Sequence, residues 1–188
     1  MPSGSHEAPH PLGHPVPSLE PCDACAVPGH GGGIGTGLVR AVFRNVLRLP
    51  KAHSTEFDES SPDPVICLMP DQEKVVDKGA TMRLGASDCD LKPGSLARKA
   101  YGADRISERH RHRYEFNNDY YARFEEAGLI PSGRLSSGKL VEIVELENHP
   151  WFLAVQFHPE FKSKLTAPHP LFRSFIEASV KRRAERLR

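Results

Sequence analysis

His158 and Glu160, a histidine followed two positions later by a glutamate, are the strongest candidates for catalytic residues. They lie in the segment 155–160 (VQFHPE), at the end of an apolar stretch that predicts a buried strand. The carboxyl end of a strand is where α/β sheets place their active sites. Because Pro159 disfavours a helix at His158, we expect an extended segment in which residues two apart point the same way. Glu160 would then orient an imidazole base able to activate a thiol or hydroxyl. Alone, the motif fits a strand-end histidine beside a solvated glutamate equally well.

An arginine-rich run, 108–115 (ERHRHRYE), supplies a second candidate group. Its arginines Arg109, Arg111 and Arg113 are predicted to share one face of an extended stretch. A guanidinium can hold a substrate carboxylate through two hydrogen bonds. The net charge of +1 argues against a nucleic-acid surface. Upstream, Glu56 could pair with an ammonium group, so one arginine and one glutamate would suit an amino acid such as glutamine.

Two unlike segments make up the chain. Residues 1–37 are rich in Pro, Gly, His and Ser, and we expect them to be disordered, because they offer too little apolar surface to offset the loss of entropy. From Leu38 onward, apolar spacing and turn residues predict mixed elements and an α/β fold. The predicted helices are 38–49, 96–101 and 171–180. A further helix is predicted to be capped by Asn117 or Asn118 and to end at Glu126. The predicted strands are 65–69, 81–84, 108–116, 140–146 and 152–157.

Three features of the first segment resemble functional motifs: a Cys-x-x-Cys pair, three histidines spaced by four, and a glycine run (Cys22, Cys25, His6, His10, His14 and residues 31–37). The cysteine pair has no second pair with which to complete a zinc site. Prolines between the histidines forbid the helix that would align them. The glycine run lacks the Gly-Lys-Ser/Thr ending of a phosphate loop. We therefore expect no metal site here.

Export and membrane insertion are not indicated by the sequence. No apolar run approaches the roughly 18 residues of a membrane span, and the first residues do not form an apolar signal segment. The four cysteines are unevenly spaced, which does not suggest a disulfide framework. A reducing cytoplasm is the expected location.

Five segments, in order, resemble consecutive motifs of the amidotransferase domain of CTP synthases: 53–57 (HSTEF), 81–85 (TMRLG), 108–118 (ERHRHRYEFNN), 148–152 (NHPWF) and 156–161 (QFHPEF). The resemblance covers about residues 40–180, and the arginine-rich run is specific to this family among class I glutamine amidotransferases. It implies a partial, flavodoxin-like α/β domain over residues 38–188. It also implies that His158 and Glu160 belong to a Cys-His-Glu triad. Arg113 would hold the glutamine carboxylate and Glu56 its ammonium group, while Arg109 and Arg111 would be structural.

The chain departs from that family where the nucleophile is expected. The family's cysteine turn, Gly-Ile-Cys-Leu-Gly, corresponds to the glycine run 31–37, so Gly32 or Gly35 stands at the cysteine position, depending on the alignment. Glycine has no side chain with which to attack a carbonyl. We therefore expect this chain to be inactive alone, with no cofactor of its own.

The resemblance also describes a parent enzyme. A homotetrameric CTP synthase makes CTP from UTP, with ATP, Mg²⁺ and ammonia released from glutamine. Three accounts of this chain stay open: a C-terminal fragment from a broken or misread gene, a degenerate binding or regulatory module, and a free-standing γ-glutamyl hydrolase. The last would need a nucleophile that the sequence does not show.

Overall fold

The structure is a computed structural model that describes residues 43–45, 47–68, 82–138 and 140–187. Its strands are β1 (Ala52–Ser54), β2 (Asp63–Leu68), β3 (Arg83–Leu91), β4 (Arg105–His112), β5 (Tyr114–Phe116), β6 (Leu129–Leu135), β7 (Val141–Leu146) and β8 (Leu153–Val155). Its helices are α1 (Leu96–Tyr101), α2 (Tyr121–Glu126) and α3 (Pro170–Arg186), with 3-10 turns at Asn118–Tyr120 and Pro159–Phe161. Among these residues no helix is long and apolar enough to cross a membrane. The prediction for residues 1–37 lies outside them.

Two sheets organise the described part of the chain. The smaller has the order β1-β2-β5, with β1 and β2 parallel. The larger has the order β4-β3-β6-β7-β8 and is antiparallel throughout. The chain passes from the larger sheet to the smaller at Arg113, between β4 and β5. The extended stretch predicted over 108–116 is therefore two strands, and the predicted mixture of helices and strands is confirmed.

Strand β8 is buried on both faces, as its apolar sequence predicts. Ala154 belongs to one hydrophobic cluster, which includes Phe43 and Phe124. Leu153 and Val155 belong to a second cluster on the opposite side of the sheet. Burial of this strand fixes the position of the segment that follows it, which carries His158.

Some element boundaries differ from the predictions. Of the helix predicted over 38–49, residues 38–42 and 46 lie outside the described residues, and the chain has left the helix by Leu47, with Arg48 at φ 53°. Strand β6 was not predicted, because Pro131 and Gly133 interrupt its apolar pattern. Gly133 is required there, since a Cβ would lie 2.6 Å from a side-chain carbon of Ile143.

The C-terminal helix α3 buries less than its apolar spacing predicts. Leu171 is its only residue classed as buried. Ile176 and Val180, predicted to share its packed face, are 58% and 64% exposed. The helix is attached instead at its N-terminal half, where Trp151 packs on Phe175 with ring centroids 5.1 Å apart.

Candidate functional site

His158 and Glu160 form a direct pair, with Nδ1 of the imidazole 2.6 Å from Oε1 of the carboxylate. The backbone conformation that produces this contact differs from the predicted extended one. Strand β8 ends at Val155, and the residues after His158 form the 3-10 turn Pro159–Phe161 instead of an extended segment. As predicted, His158 itself is not helical, with φ −111° and ψ 85°. The tight turn brings the carboxylate back to the ring.

The imidazole of His158 is held from several sides. The backbone N–H of His158 donates to the carbonyl of Arg109 at 2.9 Å, which attaches this residue to β4. The ring of Phe161 stacks on the imidazole with centroids 5.0 Å apart, and the Arg109 guanidinium lies 5.5 Å from the centre of that phenyl ring. The second ring nitrogen, Nε2, is buried and has no hydrogen-bond partner among the described residues. With Glu160 accepting from Nδ1–H, Nε2 is left with its lone pair available as a base.

Glu56 and Arg113 form the second half of the candidate site. Glu56 lies in the turn after β1, where its N–H is 3.3 Å from the hydroxyl of the buried Ser54. Burial raises the pKa of Glu56, and the positive charge of Arg113 opposes that rise. The two side chains are therefore close enough to attract each other. Arg113 owes its place to the bend where the chain changes sheets.

His112, the residue before Arg113, ends strand β4. Burial lowers the pKa of His112 to about 4, with weaker contributions from the charges of Arg83 and His158. His158 and Arg113 are both placed by β4: the strand accepts the backbone N–H of His158 at Arg109 and ends one residue before Arg113. Arg109 and Arg111 lie on the exposed face of the same strand.

A further group of buried and half-buried charged and polar side chains lies on the strands near His158, and we call it the Arg83 cluster: Arg83, His110, His112, Glu115 and Glu142. The guanidinium is 2.7 Å from one glutamate and 3.5 Å from the other, Glu142 and Glu115 respectively. The two imidazoles are 2.7 Å apart, between Nδ1 of the first and Nε2 of the second. The cluster joins β3, β4, β5 and β7 and so supports the strands around His158.

In the Arg83 cluster one guanidinium lies beside two carboxyl groups, and burial shifts the pKa of each histidine and glutamate in the direction that favours its neutral form. Burial, reinforced by the Arg83 charge, lowers the pKa of His110 to about 3, so both imidazoles are neutral at pH 7. Burial raises the pKa of Glu115 to about 8, despite the attraction of Arg83 and with a further rise from the charge of Glu142. One guanidinium thus faces two carboxyl groups, and burial raises the pKa of Glu142 as well as that of Glu115, against the attraction of Arg83.

Three members of the cluster have the donor types and proximity of metal ligands. Ligand atoms of His110, His112 and Glu142 all lie within 4.8 Å of one another. The Arg83 guanidinium, however, already provides a cation 2.7 Å from the Glu142 carboxylate. A divalent ion beside that guanidinium would meet strong repulsion. We therefore assign these residues to an internal ion-pair network.

Glu108 connects the segment after His158 to β4. Its carboxylate accepts from the Tyr101 hydroxyl at 2.9 Å and lies 3.0 Å from Nε2 of His169 and 3.3 Å from Nζ of Lys162. Burial opposes ionisation of Glu108, but hydrogen bonds from His169 and Tyr101 outweigh it and lower its pKa. This carboxylate therefore anchors both Lys162, just beyond the His158 turn, and the start of α3.

Neither described cysteine matches a nucleophile. Burial, followed by the charge of Glu142, raises the pKa of the Cys89 thiol to about 12, so it does not form a thiolate near neutral pH. Cys67 lies within β2, paired in register with Glu115 of β5. The positions Gly32 and Gly35, like Cys22 and Cys25, fall outside the described residues.

The Arg83 cluster was not predicted, although the sequence contains a pattern that indicates it. In β4 the arginines alternate with histidines, and a strand's period of two sends the arginines outward and His110 inward. Glu142 likewise interrupts an apolar strand, which marks a buried carboxylate in need of a partner.

Comparison with known proteins gives a consistent result. Residues 38–178 match the Glutamine amidotransferase class-I family. The CTP synthase of Syntrophus aciditrophicus (strain SB) is 56% identical over 157 residues, which cover 82% of this chain and 29% of that protein. The CTP synthase of Roseiflexus sp. (strain RS-1) is 58% identical over 131 residues, covering 70% of this chain and 24% of that protein.

A solved structure agrees. The Trypanosoma brucei CTPS glutaminase domain with bound acivicin superposes with a TM-score of 0.72 at 37% identity, covering 80% of this chain and 59% of that one. The chain spans only 29% and 24% of the length of the two bacterial relatives above. By its match over residues 38–178, and with CTP synthases as its relatives, the chain belongs to the class I glutamine amidotransferase family.

Proposed function

We propose that this chain is the glutamine-binding part of a CTP synthase, able to hold L-glutamine but not to hydrolyse it. One observation carries the proposal: the 2.6 Å pair of His158 and Glu160, with Nε2 of the imidazole left without a partner among the described residues. That is the arrangement a thiol-activating base needs. The similarity to CTP synthases supplies the substrate class.

Glutamine would be recognised by its two charged groups. Arg113 would bind the α-carboxylate through two hydrogen bonds, and Glu56 would accept from the α-ammonium group. These two side chains already attract each other, so a zwitterion inserted between them meets complementary charges. The related Trypanosoma brucei glutaminase domain was solved with bound acivicin, which supports a ligand site within the shared domain.

Hydrolysis would need a thiolate that attacks the side-chain amide carbon of glutamine. In that reaction, His158 would take the thiol proton on Nε2 and pass it to the departing ammonia, leaving a γ-glutamyl thioester for water to cleave. Glu160 would stabilise the charged imidazolium between these steps. Because Gly32 or Gly35 stands at the nucleophile position, this chain retains the base and its partner without the group that they would activate.

The remaining steps are proposed for the parent enzyme, a homotetramer in the cytoplasm. Its amidoligase domain would use ATP and Mg²⁺ to activate UTP, which then accepts the ammonia to give CTP. None of the residues described here is assigned to ATP, UTP or Mg²⁺. A second candidate function is a degenerate amidotransferase-like binding or regulatory module, favoured by a retained pair of His158 and Glu160 in a sequence that offers only Gly32 or Gly35 at the nucleophile position.

Titration of the full chain with L-glutamine in a calorimeter tests the proposal. We expect saturable binding that Arg113→Gln weakens by about tenfold or more, because a charge-assisted hydrogen bond contributes roughly 1.5–3 kcal/mol. Arg111→Gln, on the exposed face of β4, is the matched control and should bind as the parent chain does. Equal losses in the two variants, or no saturable binding at millimolar glutamine, would refute the assignment.

A further inference from the structure

We propose that a second site, separate from the glutamine site, binds a small organic phosphate. A cavity of about 390 Å³ lies between the end of β3, strand β6 with the turn after it, and Tyr121 of α2. Its volume falls within the range of small-molecule sites. None of its lining residues belongs to the glutamine site, so this inference does not depend on the proposed function.

One wall of the cavity carries Arg134, whose cross-strand neighbour Asp90 is bound by another arginine. In the sheet, Asp90 of β3 lies opposite Arg105 on one side and Arg134 on the other. The Asp90 carboxylate is bound by Arg105, with Nε to Oδ1 at 2.5 Å and Nη2 to Oδ2 at 3.3 Å. Arg134, which lines the cavity, therefore has no carboxylate in ion-pair contact among the described residues.

Tyr121 holds Arg134 in place. The guanidinium carbon lies 4.5 Å from the centre of the tyrosine ring, and Nη2 donates to the phenolic oxygen. The phenol in turn donates to Glu125 at 3.1 Å, so that carboxylate reaches Arg134 only through the hydroxyl group. A guanidinium fixed on an aromatic face loses little side-chain freedom when it binds an anion.

Lys92 supplies a second positive charge on the cavity wall. It follows the last residue of β3, its side chain is exposed, and it has no carboxylate in ion-pair contact among the described residues. Asp90 also lines the cavity, but Arg105 binds its carboxylate. Arg134 and Lys92 are then left to match the charge of a phosphate monoester, for which both side-chain types are common ligands. Leu91, Pro131 and Leu135 add apolar wall that would pack against the organic group.

Nuclear magnetic resonance of the ¹⁵N-labelled full chain tests the site, with phenyl phosphate and inorganic phosphate as probes. We expect saturable shifts of the amides of Ser132, Arg134 and Leu135, with phenyl phosphate binding more tightly because its ring contacts the apolar wall. Lys92→Gln and Arg134→Gln should each weaken phenyl phosphate about tenfold. Lys181→Gln, which removes an exposed charge from α3, should have no effect.

Several outcomes would overturn the site. The proposal is wrong if the amide shifts do not saturate at about 10 mM phenyl phosphate. It is also wrong if the parent chain and Lys92→Gln bind phenyl phosphate with equal affinity. Because Lys92 is exposed, that variant stays informative even where Arg134→Gln fails to fold. Equal affinity for the two probes would overturn the organic part of the proposal.

Discussion

Incubated with L-glutamine, the purified chain should release ammonia no faster than buffer alone. Removing the nucleophile of an enzyme that acts through a covalent intermediate typically costs on the order of 10⁶ in rate. Here His158 and Glu160 form their pair at 2.6 Å, but we expect Gly32 or Gly35 at the cysteine position, and burial raises the pKa of the Cys89 thiol to about 12. An enzyme-coupled glutamate assay over several hours measures this.

His158→Ala is the control for the activity assay. Without a nucleophile, the base has nothing to activate, so the variant and the parent chain should give the same background. Turnover well above buffer that disappears in His158→Ala would show that another group serves as nucleophile. That result would favour the account of a free-standing hydrolase.

The free energy of unfolding should fall as the pH rises from 6.5 to 8. Glu115 has its pKa raised to about 8 in the folded chain, chiefly by burial, whereas an unfolded glutamate ionises near its ordinary value of 4.5. Between these values the folded state binds the extra proton, so stability is lost with rising pH, by up to about 1.4 kcal/mol per pH unit. Urea unfolding at closely spaced pH values measures the slope.

The histidines of the Arg83 cluster affect the free energy of unfolding in a different pH range. His110 and His112 have folded pKa values lowered to about 3 and about 4, mainly by burial, so their contribution is present above pH 6.5 and lost only as the pH falls below it. Glu115→Gln should therefore flatten the slope between pH 6.5 and 8. Glu147→Gln, at an exposed position, should retain it. An unchanged slope in Glu115→Gln would show that Glu115 is not the group responsible for it, which would contradict the prediction.

The sequence predicted the parts of this fold that depend on local pattern. The buried strand before His158 and the cap at Asn117 follow from apolar runs and from the capping preference of asparagine. Asn117 accepts from the Asp119 N–H at 3.1 Å, but it caps the 3-10 turn Asn118–Tyr120, and the predicted helix itself begins only at Tyr121, without a side-chain cap. The contact of His158 with Glu160 was also predicted, although a 3-10 turn produces it.

What the sequence could not predict depends on pairing between distant strands. The passage of the chain from one sheet to the other at Arg113 is invisible in the pattern of 108–116, because both strands are extended. The ion pair of Arg83 with Glu142 joins residues far apart in the chain, and only the strand order brings them together. Strand β6 was hidden by Gly133, whose place depends on the close approach of Ile143.

A crystal structure of the chain soaked with L-glutamine tests the central claim most directly. We expect the α-carboxylate to lie about 3 Å from the Arg113 guanidinium. We also expect the ammonium group to contact Glu56 and the side-chain amide to face Nε2 of His158. Glutamine bound elsewhere would contradict the account. So would Arg113 or Glu56 lying more than roughly 10 Å from the imidazole, which is beyond what one amino acid can bridge.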